Sequence, residues 1–280
     1  MTTDTARHDT PRTWFIAGAS RGMGRELAEQ LLDQGHHVAA TARDAASLDD
    51  LAERHGDRLW RRSLDVTDTA GLRATVDAAF EAHPRIDVVV ANAGYGVFGT
   101  AEDLSDDDVD RMIATNLTGS IQLARAVVPH LRALGGGHLM QMSSMGAHLA
   151  FPAFSMYHVT KWGIEGFYES LAQEVAPFGI RTTLVEPGVV RTGFFDAAPR
   201  VPLSEPYRGG PADRPPTSVE EMVDSQEKTV AAIIRAGHSA DPPRRLVLGS
   251  DAWRLVTDAL RGRLDELTPQ RENAATADIG

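Results

Sequence analysis

TWFIAGASRGMG, residues 13–24, decides the fold. Five residues with the character of a buried strand run into three glycines and then a helix-length segment from Arg25 to Gln34. Gly18 follows the strand, and Gly22 and Gly24 open the helix. Glycine lets a backbone turn tightly and approach a pyrophosphate, and a helix N-terminus offers free N–H groups with a partial positive charge. The turn reads as a phosphate cradle at the carboxyl end of a first strand, with Ser20, Arg21 and Met23 on the same loop. Its spacing differs from the G-x-G-x-x-G pattern, so its weight comes from its place at the head of a β-α unit.

Outward from this turn, short apolar runs recur at His37 to Thr41, Leu59 to Leu64, Ile86 to Ala91, His138 to Met142, Arg181 to Val185 and Leu246 to Leu248. Thr69 to Ala82, Asp106 to Leu134 and Ser155 to Ala176 carry apolar residues at three- and four-residue steps, as amphipathic helices do. The alternation predicts an α/β fold, a Rossmann-type doubly wound parallel sheet of about seven strands in a single domain. That domain is expected over residues 12–267, between a flexible lead-in, 1–11, and a flexible polar tail, 268–280. Six prolines between Pro199 and Pro216 exclude a regular helix or central strand there, and the surrounding segment, about 190–225, reads as a flap over a substrate site.

Composition narrows the function classes. Among 280 residues, 42% are hydrophobic and 24% charged, within the range of folded globular proteins. A net charge of −11 without any basic run argues against nucleic acid or an anionic membrane as a partner. Zero cysteines exclude disulfides, zinc-thiolate sites and thiol nucleophiles, and the dispersed histidines suggest no metal site. With no transmembrane-length apolar stretch and no signal-peptide core, the expected location is cytoplasmic.

At the end of the second strand stand Thr41, Ala42 and Arg43, with no acid placed to hold an adenosine ribose. Arg43, with Arg21 in the glycine loop, offers charge-assisted hydrogen bonds to a 2′-phosphate, which favours NADP (as NADPH) over NAD. The competing reading is a solvated arginine pair, with Asp44 neutralising Arg43. Farther on, Tyr157 and Lys161 lie four residues apart, on one face of a helix. A tyrosine, with a usual pKa of about 10, needs a nearby positive charge to work as an acid/base at neutral pH, and Lys161 is placed to supply it. Taken alone, such a pair is more often an exposed helix pair.

The pair does not stand alone. GASRGMG, NAG at Asn92, Ala93 and Gly94, Asn116 in TNLTGS, SSMG at residues 143–146 and YHVTK at residues 157–161 succeed one another in the order of the short-chain dehydrogenase/reductase family, which the chain resembles over about residues 12 to 265. The resemblance implies that Ser144 binds the substrate oxygen, Tyr157 moves the proton, Lys161 grips the nicotinamide ribose and Asn116 holds a proton-relay water. Ser144 is preferred to Ser143 because it lies thirteen residues before Tyr157, the family's usual interval. By the same resemblance Asp65 and Val66 contact adenine, Asn92 supports the cofactor cleft, and Pro187, Gly188, Val190 and Thr192 frame the nicotinamide carboxamide. Asp65 alternatively caps the helix after it. The family also implies a homodimer or homotetramer, through the helix bearing Tyr157 and the long one before it.

A small-molecule substrate is expected between three segments. The first carries Tyr95, Val97 and Phe98, the second Met145, His148, Leu149, Phe151 and Phe154, and the third Phe194 and Phe195. This apolar, aromatic set favours a hydrophobic ketone or secondary alcohol over a sugar or charged acid. The implied activity is that of an NADP-dependent ketoreductase or alcohol dehydrogenase. An imine reductase, dehydratase or epimerase on the same scaffold, and a non-catalytic NADP-binding sensor or scaffold, are the alternatives. His158, next to Tyr157, is expected to point off the tyrosine's face and is assigned no chemistry.

Overall fold

A computed structural model describes residues 10–214 and 223–279. The apolar runs are seven parallel strands: β1 (Thr13–Ala17), β2 (His37–Ala42), β3 (Leu59–Ser63), β4 (Val88–Ala91), β5 (Gly137–Met142), β6 (Ile180–Pro187) and β7 (Arg245–Leu248). They form one sheet in the order β3-β2-β1-β4-β5-β6-β7. Helices α1 (Gly22–Asp33), α2 (Asp49–His55), α3 (Thr69–Ala82), α4 (Asp106–Met112), α5 (Gly119–Ala133), α6 (Ser155–Val175), α7 (Phe194–Ala197), α8 (Gln226–His238), α9 (Ser250–Leu267) and α10 (Arg271–Ala275) connect or succeed the strands.

Alternation along β1 explains the layering. Trp14 and Ile16 point to one face and join Leu27 and Leu31 of α1 and Ile233 of α8. Phe15 and Ala17 point to the other and join Val76 of α3, Val127 of α5 and Tyr168 of α6. A sheet covered on both faces needs apolar side chains at every position, which is why VVVA in β4 shows no polar alternation. Each fully buried leucine or isoleucine in these cores contributes about 1.5–3 kcal/mol.

Two segments differ from expectation. The helix predicted from Asp106 to Leu134 is interrupted by a π-helical turn, Ile113–Thr118, between α4 and α5. One extra residue per turn rotates α5 relative to α4, and apolar periodicity is too coarse to reveal it. Beyond Leu267 the expected irregular tail instead holds a 3-10 turn (Thr268–Gln270) and α10, both exposed, because Arg, Glu and Ala are good helix formers even without a core to face. The proline-rich segment contains α7 and short 3-10 turns at Glu205–Tyr207 and Pro211–Asp213, and Pro215 and Pro216 lie outside the described residues. No helix among the described residues is long and apolar enough to cross a membrane.

Strand order reverses between β1 and β4, so the loops leaving their carboxyl ends diverge and open a crevice. Gly18 and Asn92 stand at that point.

Two buried histidines give the fold a pH dependence. Burial, reinforced by His238 and Arg12, pushes His36 down to about 4, and burial with Arg181 nearby pushes His138 down to about 3. The unfolded chain takes up these protons near pH 6.5, whereas the folded chain resists until lower pH. Their contribution is therefore complete above the unfolded value and is lost as pH falls from 6.5 through 4 toward 3. We expect the melting temperature to drop steadily between about pH 6.5 and about pH 4. Thermal unfolding across that window checks this, and a flat profile would show that these histidines are not buried in the neutral form.

Candidate active site

The glycine turn is shaped by close backbone approach. Gly18 has φ +90°, and a Cβ there would stand 2.7 Å from the Ala93 Cα. A Cβ on Gly24 would meet the Gly18 carbonyl oxygen at 2.1 Å and Asn92 Nδ2 at 2.3 Å. Asn92 Nδ2 donates to the Gly18 carbonyl at 2.5 Å, tying the loops after β1 and β4 together. Gly22, in contrast, has nothing within 4 Å of its Cβ position and faces open space. The N-cap of α1, Arg21, makes no capping hydrogen bond, and the first turn holds no acid. A narrow glycine loop facing open space at an uncapped helix N-terminus fits the pyrophosphate of a dinucleotide.

The other proposed cofactor residues divide into two groups. Arg21, Met23, Asn92, Gly94, Pro187, Gly188, Val190 and Thr192 border a single cavity of about 280 Å3 above the strand ends. Ser20, Arg43, Asp65, Val66 and Ala93 do not line it. Arg43 and Asp65 come just after β2 and β3, beside the cradle. Asp44 accepts a hydrogen bond from Ala46 N at 3.0 Å, starting a 3-10 turn. Asp65 accepts from Thr67 N and Oγ1 at 2.9 and 2.7 Å; these bonds, and then the Arg43 charge, hold its carboxyl below the usual range. The cap of α3 is Asp68, which disposes of the alternative role for Asp65.

The first turn of α6 presents Tyr157 to the cavity, with Lys161 one turn on. The Tyr157 ring stacks on Phe154 at 4.4 Å, and Phe154 on Phe98 at 4.4 Å, while Phe194 packs edge-on against the tyrosine at 5.7 Å. Burial pushes the Tyr157 phenol up to about 12, and the hydroxyl of Ser144, hydrogen-bonded to it, pulls the other way. Lys161 Nζ lies 5.5 Å from the centre of the tyrosine ring and donates to the Met142 carbonyl at 2.7 Å. Helical spacing alone predicts that the lysine brings the tyrosine down; in the structure burial dominates, and the group opposing it is Ser144. Lys161 is itself pulled down to about 8 by burial, with Glu165 acting in the opposite direction.

Neighbouring serines face opposite ways. Ser144 borders the cavity and accepts a hydrogen bond from Gly146 N at 3.0 Å, while Ser143 Oγ turns inward and donates to Glu165 Oε1 at 2.5 Å. Asn116 lies in the π turn, 2% exposed, and its side chain is committed to protein partners. Nδ2 donates to the Tyr95 carbonyl at 2.8 Å and Thr160 Oγ1 at 3.3 Å, and Oδ1 accepts from Tyr95 N at 3.1 Å. It braces the loop after β4 against α6.

Of the proposed substrate contacts, Tyr95, Met145, Phe151, Phe154 and Phe194 border the cavity, as do Phe98 and Phe195. Leu149 instead packs toward α9 with Met145, Ala252 and Val256. His148 is a correction: it is buried on the far side of the Ser144 loop, bonded through Nε2 to Glu186 Oε2 at 2.9 Å. Two carboxylates, Glu165 and Glu186, draw it away from the cavity. His158, expected to point off the tyrosine's face, instead borders the cavity and meets the Tyr157 ring edge-on at 6.0 Å, and it has a structural use. Its Nε2 accepts from Phe151 N at 2.9 Å, which leaves Nδ1 to donate to the Gly146 carbonyl at 2.7 Å, so one neutral ring pins both ends of the loop after Ser144.

Residues that sequence reasoning missed are those without a motif. Arg200 and Arg214 border the cavity from the proline-rich segment, the former over the Phe98 ring at 4.8 Å. Asp251 of α9 accepts from Val189 N at 2.9 Å and holds the loop after β6. Glu186 was visible as a carboxylate closing an apolar strand, TTLVEP, a position where a charge calls for a partner.

A seven-stranded parallel sheet with a glycine cradle at its switch point defines a Rossmann-type dinucleotide fold. The short chain dehydrogenase family matches residues 12–200. An oxidoreductase of Botryotinia fuckeliana, BOA17, is 39% identical over 246 residues, covering 86% of this chain and 90% of that protein. A short-chain dehydrogenase of Streptomyces avermitilis superposes with a TM-score of 0.87 at 33% identity, over 96% of this chain and 100% of the other. The chain belongs to the short-chain dehydrogenase/reductase family and is an oxidoreductase of that family. Its structural neighbours carry both cofactors. An alcohol dehydrogenase of Thermococcus sibiricus (TM-score 0.71, 25% identity, 85% and 96% covered) is complexed with 5-hydroxy-NADP. A family member from Burkholderia phymatum (0.76, 21%, 93% and 96%) is complexed with NAD.

Proposed function

We propose that this oxidoreductase uses NADPH to reduce the carbonyl of a hydrophobic small molecule, with Tyr157 as the proton donor. The observation that carries the reading is one largely apolar cavity bordered both by Ser144 and Tyr157 and by Arg21, Gly22 and Met23 of the glycine turn. Bound there, the nicotinamide dinucleotide supplies the hydride. As negative charge grows on the carbonyl oxygen, two hydroxyls at the cavity wall stabilise it, and the tyrosine releases its proton to it. A phenol raised to about 12 is protonated at every working pH, which suits the reductive direction. Phe98, Phe154 and Phe194 exclude water and favour an apolar substrate.

NADP is preferred because Arg21 and Arg43 flank the cradle and Asp44 is occupied in capping. Turnover of apolar ketones is expected to be at least tenfold faster, as kcat/KM, with NADPH than with NADH, a difference of about 1.4 kcal/mol. Arg43→Asp is expected to reverse the ratio. Steady-state assays with both cofactors test this, and a ratio untouched by Arg43→Asp would remove the assignment.

A further inference from the structure

On the far side of the Ser144 loop, away from the cavity, four side chains from different parts of the chain converge. Glu165 of α6, Glu186 of β6 and His148 are 5%, 0% and 7% exposed, and Arg245 of β7 reaches in from the rim. Carboxylate and imidazole atoms of the first three lie within 4.8 Å of one another, as in a cation site. The positive charge between the carboxylates is already supplied: Arg245 Nη1 pairs with Glu165 and, at 2.6 Å, with Glu186 Oε1, and its Nη2 donates to Glu169 Oε1 at 2.7 Å.

This cluster touches the candidate active site through two hydrogen bonds to one dipeptide. Lys161 holds the carbonyl of Met142, and Glu165, one helical turn on, holds the hydroxyl of Ser143. The next residue is Ser144. Two α6 side chains thus staple the end of β5 to the helix that carries Tyr157.

We propose that Glu165 is a positioning residue: it fixes Ser143, and with it the backbone presenting Ser144, against α6, and its carboxylate keeps the buried Lys161 positively charged. The first half rests on the role given to Ser144 above; the second rests on Lys161 and Glu165 standing one turn apart on α6, both buried. Lys161 has little margin, since burial takes it down to about 8 while Glu165 pushes it back up. The ionisable groups at Lys161 are Tyr157 and Glu165 on α6, and packed about the Glu165 carboxylate are His148, Glu186 on β6 and Arg245 on β7, which also pairs with Glu169. Burial, and then the charge of Glu186, push Glu165 above the usual carboxylate range, with Arg245 and Ser143 acting in the opposite direction.

The chain has two lysines, Lys161 and Lys228, so Lys161 can be titrated directly. In protein labelled with 13Cε-lysine, Lys228→Arg, on the exposed face of α8, leaves one resonance and wild-type turnover. We expect that resonance to titrate near 8 and, with Glu165→Gln added, about one pH unit lower, a tenfold change in proton affinity. Glu165→Asp, which keeps the charge, should restore most of the shift. The alkaline limb of the kcat/KM profile should move with the resonance. A folded Glu165→Gln protein whose Lys161 titrates as in the wild type overturns the proposal. Should Glu165→Gln fail to fold, Ser143→Ala decides: kcat should fall about tenfold as Ser144 loses its support, and an unchanged kcat overturns the positioning role. A wild-type protein inactive on every ketone would instead refute the proposed reaction and leave the Lys161 titration as a separate result.

Discussion

Tyr157→Phe is expected to lower kcat by about 10²- to 10⁴-fold, the range a positioned proton donor contributes, while NADPH binding stays within a few-fold of wild type. The phenol oxygen is the one atom removed. The ring keeps its stacking on Phe154 at 4.4 Å and its edge contact with Phe194 at 5.7 Å, so fold and cavity survive. Steady-state NADPH oxidation and a fluorescence titration of NADPH separate the two effects. Loss of binding in parallel with turnover would mean that the tyrosine organises the cofactor rather than the proton. Near wild-type turnover would mean that the proton comes from elsewhere, with the hydroxyl of Ser144, hydrogen-bonded to the tyrosine, the first to test.

Gly24→Ala is expected to abolish tight NADPH binding and to lower stability by about 1–3 kcal/mol, the usual penalty for overpacking. The new methyl would lie 2.1 Å from the Gly18 carbonyl oxygen and 2.3 Å from Asn92 Nδ2. Neither can yield cheaply, because these two atoms form the hydrogen bond that joins the loops after β1 and β4. Gly22→Ala is the informative control: its φ of +56° costs some strain, but its methyl would meet nothing within 4 Å. Thermal unfolding together with NADPH titration should therefore rank Gly24→Ala well below Gly22→Ala in stability. Equal melting temperatures would contradict the close approach in the turn.

Much of the candidate site was legible because its parts are local. A strand running into glycines declares a cradle, and a tyrosine and lysine four apart declare a shared helical face. Ser144 was separable from Ser143 only by its interval to Tyr157, and the structure adds a physical reason, since Glu165 holds the Ser143 hydroxyl inward. Asn116 was located by its motif, but not the π turn that aims it, because one extra residue in a turn leaves the apolar period nearly unchanged. His148 misled for the opposite reason. It stands four residues after Ser144 among apolar residues, and only its partners, Glu165 and Glu186, reveal which side of the loop it takes.

Local chemistry was enough for the sheet, the cradle and the acid/base candidates, because strand and helix patterning, glycine sterics and helical spacing act over a few residues. The direction each buried polar group faces was settled by packing. Glu165, Glu186 and Arg245 are separated by 21 and 59 residues in the chain, and they meet because β6 and β7 are neighbours and α6 crosses β6. A buried charge must find its counter-charge wherever the fold brings one, and that pairing leaves no local trace in the chain.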